Sequence, residues 1–326
     1  MKPLVVVGGA IHPDGLKQLE SEARVIVTEE TTEEGMARVA KEADGILFRI
    51  RPACTRSLMA ACPRLKVIGR HGVGLDTVDL KAATDRGVAV VHAPGSNSDS
   101  VAEHAWMLIL ACAKRTLDVD RMTRKADWGP QRWKGNMELA GKTLGIIGVG
   151  NIGRRVARIG NAFGMRVIGY DKYVADDEVR KRGAEPMKDM ASVLSQADVV
   201  TCHTPHTPET HHMIDAKAVA LMKDGVIFVN TSRGKTQDEH ALFEGLTRGK
   251  IRAAGLDVFE EEPAHADNRL VNLPNVVVTS HVAGVTEETV RGMAMQVGAE
   301  MLRVLRGEKP NVLGNPDLWP KLSHLK

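Results

Sequence analysis

Three apolar runs in the second half of the sequence are each followed closely by a side chain that could do chemistry. Arg233 follows "VIFVNTS", Glu262 follows "AAGLDVFEE", and His281 follows "NVVVTS". A guanidinium can grip a carboxylate through two parallel hydrogen bonds. An imidazole titrates near neutral pH, and a carboxylate beside it orients the ring and favours its charged form. Together these are the groups needed to hold an anion and move a proton. Each alone reads equally well as a surface charge or a structural residue. At the ends of parallel strands, however, they can converge, because an open parallel sheet binds ligands beyond the carboxyl ends of its strands.

A second pattern lies upstream, in "TLGIIGVGNIGRRVARIGNAFGMRVIGYD". Gly148, Gly150 and Gly153 form G-x-G-x-x-G directly after an apolar strand and directly before a helical stretch. Gly148 permits a tight turn, Gly150 lets backbone approach a pyrophosphate, and Gly153 lets the helix pack close to the strand. The helix N-terminus then offers N–H groups and a positive dipole end to phosphates. The next strand ends at Asp171, 23 residues after Gly148. A carboxylate there can accept hydrogen bonds from ribose hydroxyls and repels a 2′-phosphate, which favours NAD over NADP. Lys172 follows and softens that discrimination.

Both patterns need parallel strands to position them, and the sequence supplies two series. The first is "PLVVVGG", "RVIVTE", "GILFRI", "KVIGRHG" and "VAVVHAP", with helices expected over 13–23 and 32–43. The second runs from "TLGIIGVG" to "NVVVTSH". Continuous rather than alternating apolar strands between helices indicate parallel sheets covered on both faces. Residues 96–120 read as one long helix, capped by Ser98 or Ser100, and residues 287–305 as a long amphipathic helix. The expected class is α/β, with two Rossmann-like doubly wound parallel-sheet domains. No Pro- or Gly-rich linker separates the series, so either the boundary falls near residue 98 or the chain crosses more than once.

Bulk properties narrow the function classes. With 326 residues, two domains are expected. Net charge is +3 with both signs interspersed, so nucleic acid is not an expected partner. The longest apolar stretches fall well short of a membrane span. The N-terminal "MKPLVVVGGA" reads as a first buried strand rather than a signal peptide. Cys54, Cys62, Cys112 and Cys202 are scattered, which fits a reducing, cytoplasmic setting.

With these residues in view, the chain resembles the D-isomer-specific 2-hydroxyacid dehydrogenase family. The landmarks "GRHGVGLDTVDL", "NSDSVAEHAWMLILA", "ELAGKTLGIIGVGNIG", "HTPHTPET", "NTSRGKTQDEHAL", "AAGLDVFEEEP", "TSHVAG" and "GEKPNVL" appear in order over most of the sequence. The resemblance implies a discontinuous substrate domain of residues 1–98 and 287–326. A cofactor domain of residues 99–286 lies between, and the active site falls in a cleft. It implies that Arg233 binds the substrate carboxylate, that His281 is the acid–base, and that Glu262 partners it. It places Asn151 and Ile152 against the pyrophosphate, has Thr204, Thr231, Ser232 and Gly284 line the cofactor, and puts Asp257 near the nicotinamide side. Backbone N–H groups of Val73 and Gly74 are implied for the substrate, and Arg49, with Arg51 and Arg70, for a second anionic group. Related formate dehydrogenases lack the His–Glu pair, so formate is not the expected substrate.

The reaction so implied interconverts a small polar or anionic 2-hydroxy acid and its 2-keto acid with NAD; phosphoglycerate, hydroxypyruvate and glyoxylate are the candidates. Low aromatic content, 3%, disfavours an aryl-pyruvate pocket. The family also contains NAD-sensing corepressors, which leaves a binding module as the alternative. A homodimer is expected through the helix "VAEHAWMLILACA". The run from His203 to His212 holds four histidines, but its prolines break any regular ligand spacing, so a metal site is not expected. "RGKTQDE" departs from the family's apolar pair after R-G, which makes Lys235, Thr236 and Gln237 candidates for altering a cofactor-side loop.

Overall fold

The computed structural model describes residues 2–49 and 51–319. The chain divides into two compact units, residues 1–97 with 285–326, and residues 98–284. The N-terminal stretch of the first unit runs β1 (Leu4–Gly8), α1 (Pro13–Glu22), β2 (Arg24–Thr28), α2 (Glu33–Val39), β3 (Gly45–Phe48), α3 (Arg56–Ala61), β4 (Val67–Arg70), α4 (Leu80–Asp85) and β5 (Ala89–Val91). Its five strands are parallel in the order β2-β1-β3-β4-β5.

The second unit opens with α5 (Ser98–Lys114) and α6 (Thr116–Arg124). It continues through β6 (Thr143–Ile147), α7 (Gly153–Ala162), β7 (Arg166–Tyr170), α8 (Asp176–Lys181), β8 (Glu185–Pro186), α9 (Met190–Leu194) and β9 (Val199–Cys202). It ends with α10 (Ala216–Leu221), β10 (Val226–Asn230), α11 (Glu239–Thr247), β11 (Ile251–Leu256) and β12 (Val276–Val278). The seven strands are all parallel, in the order β12-β11-β10-β9-β6-β7-β8. Successive strands go one way from β6 and the other way from β9, so the order reverses between these two neighbours. The crevice at such a reversal is where a doubly wound sheet binds its ligand.

Residues 96–120 do not form one helix. Arg115 adopts a left-handed conformation, φ 50°, and separates α5 from α6. At that break the arginine side chain bonds the carbonyls of Gln131 and Lys134 and the carboxylate of Asp118. Ser100 does not cap α5; its hydroxyl donates to the Ala283 carbonyl at 2.7 Å. The apolar face of α5 is already occupied, since Ala105, Trp106, Leu108 and Ile109 lie in one core with Leu144, Ile146 and Ile227 of the sheet. That face packs within its own unit, so a second copy expected on this helix could meet only the opposite side, where Met107 is exposed. By contrast α6 has no buried residue, and Met107, Leu117 and Trp128 stand exposed.

After the second unit the chain returns as α12 (Glu287–Leu305), whose Met293, Val297 and Met301 close one face of the first sheet with Val5, Leu47 and Val67. A buried asparagine fixes the segment beyond it. Asn315 accepts from the Val90 N–H at 2.9 Å and donates to the Val88 carbonyl at 2.9 Å and the Thr84 hydroxyl at 3.1 Å. This gives the edge strand β5 partners on a side that no strand covers. Asn315→Leu would leave a buried N–H and carbonyl without partners, at about 1–3 kcal/mol per group. The first thermal unfolding transition should fall by several degrees while the second unit's near-ultraviolet signal is kept; an unchanged transition would contradict this role.

Candidate active site

Gly148 closes β6 with φ +90°, and a Cβ added there would stand 2.9 Å from the His203 backbone at the end of β9. Gly153 opens α7, where an added Cβ would lie inside van der Waals contact with the Gly148 carbonyl. At Gly150 the same atom meets nothing within 4 Å. The turn is thus closed by packing at its two ends and open at its middle glycine, as a pyrophosphate cradle requires. At the start of α7 the N–H groups of Arg154, Arg155 and Val156 bond the carbonyls of Gly150 and Ile152, and the positive end of the helix dipole faces the turn. Asn151 is exposed beside Gly150, while Ile152 packs onto the core. The Asp171 carboxylate accepts from the Val149 N–H at 2.9 Å and, through its other oxygen, from the Tyr173 and Val174 N–H groups. It is therefore fixed beside the glycine turn.

The neighbouring strand ends add further polar groups. The Thr231 hydroxyl is buried with no partner among the described residues, which suits a bound polar ligand. Ser232 donates to Asn230 Oδ1 at 2.7 Å. Thr204 lies against Cys202 and Met213 through its hydroxyl, and Gly284 ends the unit. These residues, with the glycine turn, fit a dinucleotide.

Beyond β10, Arg233 stands on a buried polar base. Asn230 Nδ2 donates to Gln237 Oε1 at 2.9 Å and to the Arg233 carbonyl at 3.2 Å, and the Thr236 hydroxyl donates to the same carbonyl at 2.7 Å. Thr236 and Gln237 are fully buried. Thr236 and Gln237 thus lie in the core beneath Arg233, while Lys235 is exposed.

His281 Nδ1 and Glu262 Oε2 are 2.6 Å apart, and Glu262 Oε1 accepts from the Phe259 N–H at 3.1 Å. Burial raises the Glu262 carboxyl, but the bond and charge of His281, the Phe259 N–H and the Arg233 charge outweigh it and hold the carboxyl below its ordinary range. An ionised carboxylate only accepts, so Nδ1 carries the proton and Nε2 is the nitrogen left for a substrate. His281 sits at φ 56°, which costs a non-glycine residue about 1–2 kcal/mol. Its N–H donates to the Asp257 carbonyl at 2.8 Å.

Asp257 is completely buried, and its carboxylate is turned onto the loop carrying His281. It accepts from the Thr279 hydroxyl at 2.5 Å and from the Val282 and Ala283 N–H groups at 2.9 Å each. Its side chain thus shapes the loop. Because the Thr279 hydroxyl is already donated, Thr279 accepts from His104 Nε2 at 2.9 Å. His104, Thr279 and Asn230 were not picked from the sequence. Their only signal is polarity inside otherwise apolar strand and helix patterns.

The histidine run resolves into separate contacts. His203 bonds the Thr201 hydroxyl at 3.0 Å, and burial pushes it down to about 3. His206 Nε2 and His211 Nδ1 lie 3.2 Å apart, and His212 faces Glu260 at 3.2 Å. Among the described residues no three His, Cys, Asp or Glu side chains gather as a metal site, and no helix is long and apolar enough to cross a membrane.

In the first unit, Arg49 follows β3 and Arg70 ends β4. Burial pushes His71 down to about 4, with the charges of Arg49 and Arg70 adding to it against a bond to the Val290 carbonyl. The Val73 carbonyl accepts from His92 Nδ1 at 2.8 Å, and Gly74 follows, half-buried.

Residues 106–283 match the family model described as D-isomer specific 2-hydroxyacid dehydrogenase, NAD binding domain. A D-3-phosphoglycerate dehydrogenase of Methanocaldococcus jannaschii is 42% identical over 324 residues, covering 99% of this chain and 62% of that protein. The chain thus spans about three fifths of the length of that relative. A glyoxylate reductase of Korarchaeum cryptofilum is 35% identical over 98% of this chain and 97% of its own length. The crystal structure of a D-lactate dehydrogenase from Aquifex aeolicus, complexed with NAD and lactic acid, superposes with a TM-score of 0.82 at 29% identity, covering 98% of each chain. The match of the NAD-binding domain and the near full-length likeness to the glyoxylate reductase show that this chain belongs to the D-isomer specific 2-hydroxyacid dehydrogenase family.

Proposed function

We propose that the chain interconverts a small polar or anionic 2-hydroxy acid and its 2-keto acid, with NAD as the redox partner. The observation that carries this is the 2.6 Å His281–Glu262 pair under the charge of Arg233, in the same unit as the glycine turn. NADH, when bound, supplies the hydride, which no side chain can. His281 gives its Nε2 proton to the carbonyl oxygen in reduction and takes it back in oxidation. Glu262 holds the ring with Nδ1–H inward and stabilises the imidazolium. Arg233 grips the carboxylate and fixes the orientation of the reacting carbon. Gly148, Gly150, Gly153, Asn151, Ile152 and Asp171 would hold the dinucleotide, with Thr204, Thr231, Ser232 and Gly284 along it. On the first unit, Arg49 and the backbone of Val73 and Gly74 are assigned to substrate groups. The names of the relatives make 3-phosphoglycerate and glyoxylate the first substrates to try, with hydroxypyruvate beside them. No observation favours a binding module without turnover.

The NADH-dependent reduction of phosphohydroxypyruvate, hydroxypyruvate and glyoxylate, with phenylpyruvate as control, tests this reading. His281→Ala should lower kcat by about 10²- to 10⁴-fold and leave NADH binding intact. Equal turnover of phenylpyruvate, or full activity in the variant, would sink the proposal.

Glu262 also sets an acid limit. A carboxyl held below its ordinary range stabilises the folded protein above the ordinary carboxyl pKa, near 4.3. That contribution disappears as pH falls through the lower folded value. The difference in thermal unfolding temperature between the unaltered protein and Glu262→Gln should therefore be constant from about pH 5 upward and shrink below it. A difference that grows on acidification would contradict the assignment.

We also propose a homodimer, now through α6 and residues 125–135. A nine-residue helix with no buried residue is not stable alone in water, and Leu117 within it and Trp128 beyond it are exposed. Sedimentation at micromolar concentration should give a dimer that Trp128→Asp with Leu117→Asp dissociates; a monomeric unaltered protein would refute it.

A further inference from the structure

Strand β6 lies between β9 and β7, so the glycine turn is flanked by the loops that follow those two neighbours. A side-chain clasp joins the flanking loops. Lys172 Nζ, one residue past Asp171, lies 2.7 Å from Glu209 Oε2, and the Tyr173 hydroxyl donates to the same oxygen at 3.0 Å. Both ends of the clasp are set by local turns. The Tyr173 and Val174 N–H groups bond Asp171, which commits the side chains of residues 172 and 173 to the outer side of that turn. Glu209 rides a turn in which the Thr210 hydroxyl donates to the Pro205 carbonyl at 2.7 Å and accepts from the Thr207 N–H at 2.8 Å.

This arrangement bears on a question that Asp171 leaves open. A carboxylate at the end of the second strand disfavours a 2′-phosphate, yet an ammonium on the next residue attracts one. Their opposing charges offset one another. Glu209 changes the balance, because two carboxylates and one ammonium leave a net negative charge. It also engages the lysine by a direct hydrogen bond. We propose that Glu209 is a cofactor-specificity residue, holding Lys172 in a clasp across the glycine turn and so keeping the site selective for NAD over NADP. The inference rests on the reading that the glycine turn binds NAD.

Calorimetric titration with NAD⁺ and with NADP⁺, without turnover, separates the possibilities. The proteins are the unaltered chain, Glu209→Gln, Lys172→Met and the double variant. All these side chains are exposed, so folding is not at issue. Glu209→Gln should tighten NADP⁺ relative to NAD⁺ by roughly 5- to 10-fold, the effect of one unit charge acting through a solvated gap. The gain should shrink as salt is raised and vanish in the double variant. An unchanged NADP⁺ to NAD⁺ ratio in Glu209→Gln would overturn the proposal. So would the full gain persisting in the double variant, because the lysine would then play no part. Failure of the unaltered protein to bind NAD⁺ would overturn the underlying reading as well.

Discussion

The second unit is organised around a carboxylate shut off from solvent. Asp257 satisfies its two oxygens with the Thr279 hydroxyl and the Val282 and Ala283 N–H groups, and its own carbonyl takes the His281 N–H. A buried carboxylate without such partners would cost several kcal/mol, so the loop after β12 has to wrap around it. Wrapping forces His281 to positive φ. The strain is held in place by α5, which contributes both Ser100, bonded to the Ala283 carbonyl, and His104, bonded to Thr279, at i and i+4 on one face. The imidazole that the proposed chemistry needs is thus aimed by a helix, a strand and a loop acting on one another.

The same economy recurs at Arg233, although with neutral groups. A guanidinium on a strand-end loop would wander if its backbone were loose. Asn230, Thr236 and Gln237 bond one another and the Arg233 carbonyl beneath it, and all three are buried. A polar network in the core is costly unless its members are satisfied, and this one closes on itself. The charge of Arg233 then acts on Glu262, which already receives His281.

Much of this could be read from residue types in order. The glycines are local, and their meaning depends only on the strand before and the helix after. Arg233, Glu262 and His281 are visible as a set, because three groups able to hold an anion and move a proton follow strands downstream of the glycine turn. What could not be read depends on contacts across the sequence. Asp257 and Asp171 are the same residue type at similar strand ends, yet one is buried against a loop 25 residues on while the other faces the glycine turn. Arg115 gave no sign of a helix break, because left-handed backbone is expected of glycine or asparagine rather than arginine. The dense histidines invite a shared role, yet in the fold His203 bonds Thr201, His212 faces Glu260, and only His206 and His211 hydrogen-bond each other.

The discontinuity of the first unit bears on synthesis. Residues 98–284 are contiguous, so the second unit has its full sheet available once they have emerged from the ribosome. The first unit does not, although five of its strands are made earlier. One face of its sheet stays bare until Met293, Val297 and Met301 arrive, and its β5 edge stays open until Asn315 does. The half made first is thus finished last. Until then its parallel strands are exposed apolar surface on a nascent chain, the kind of segment that chaperones bind and that aggregates when elongation stalls.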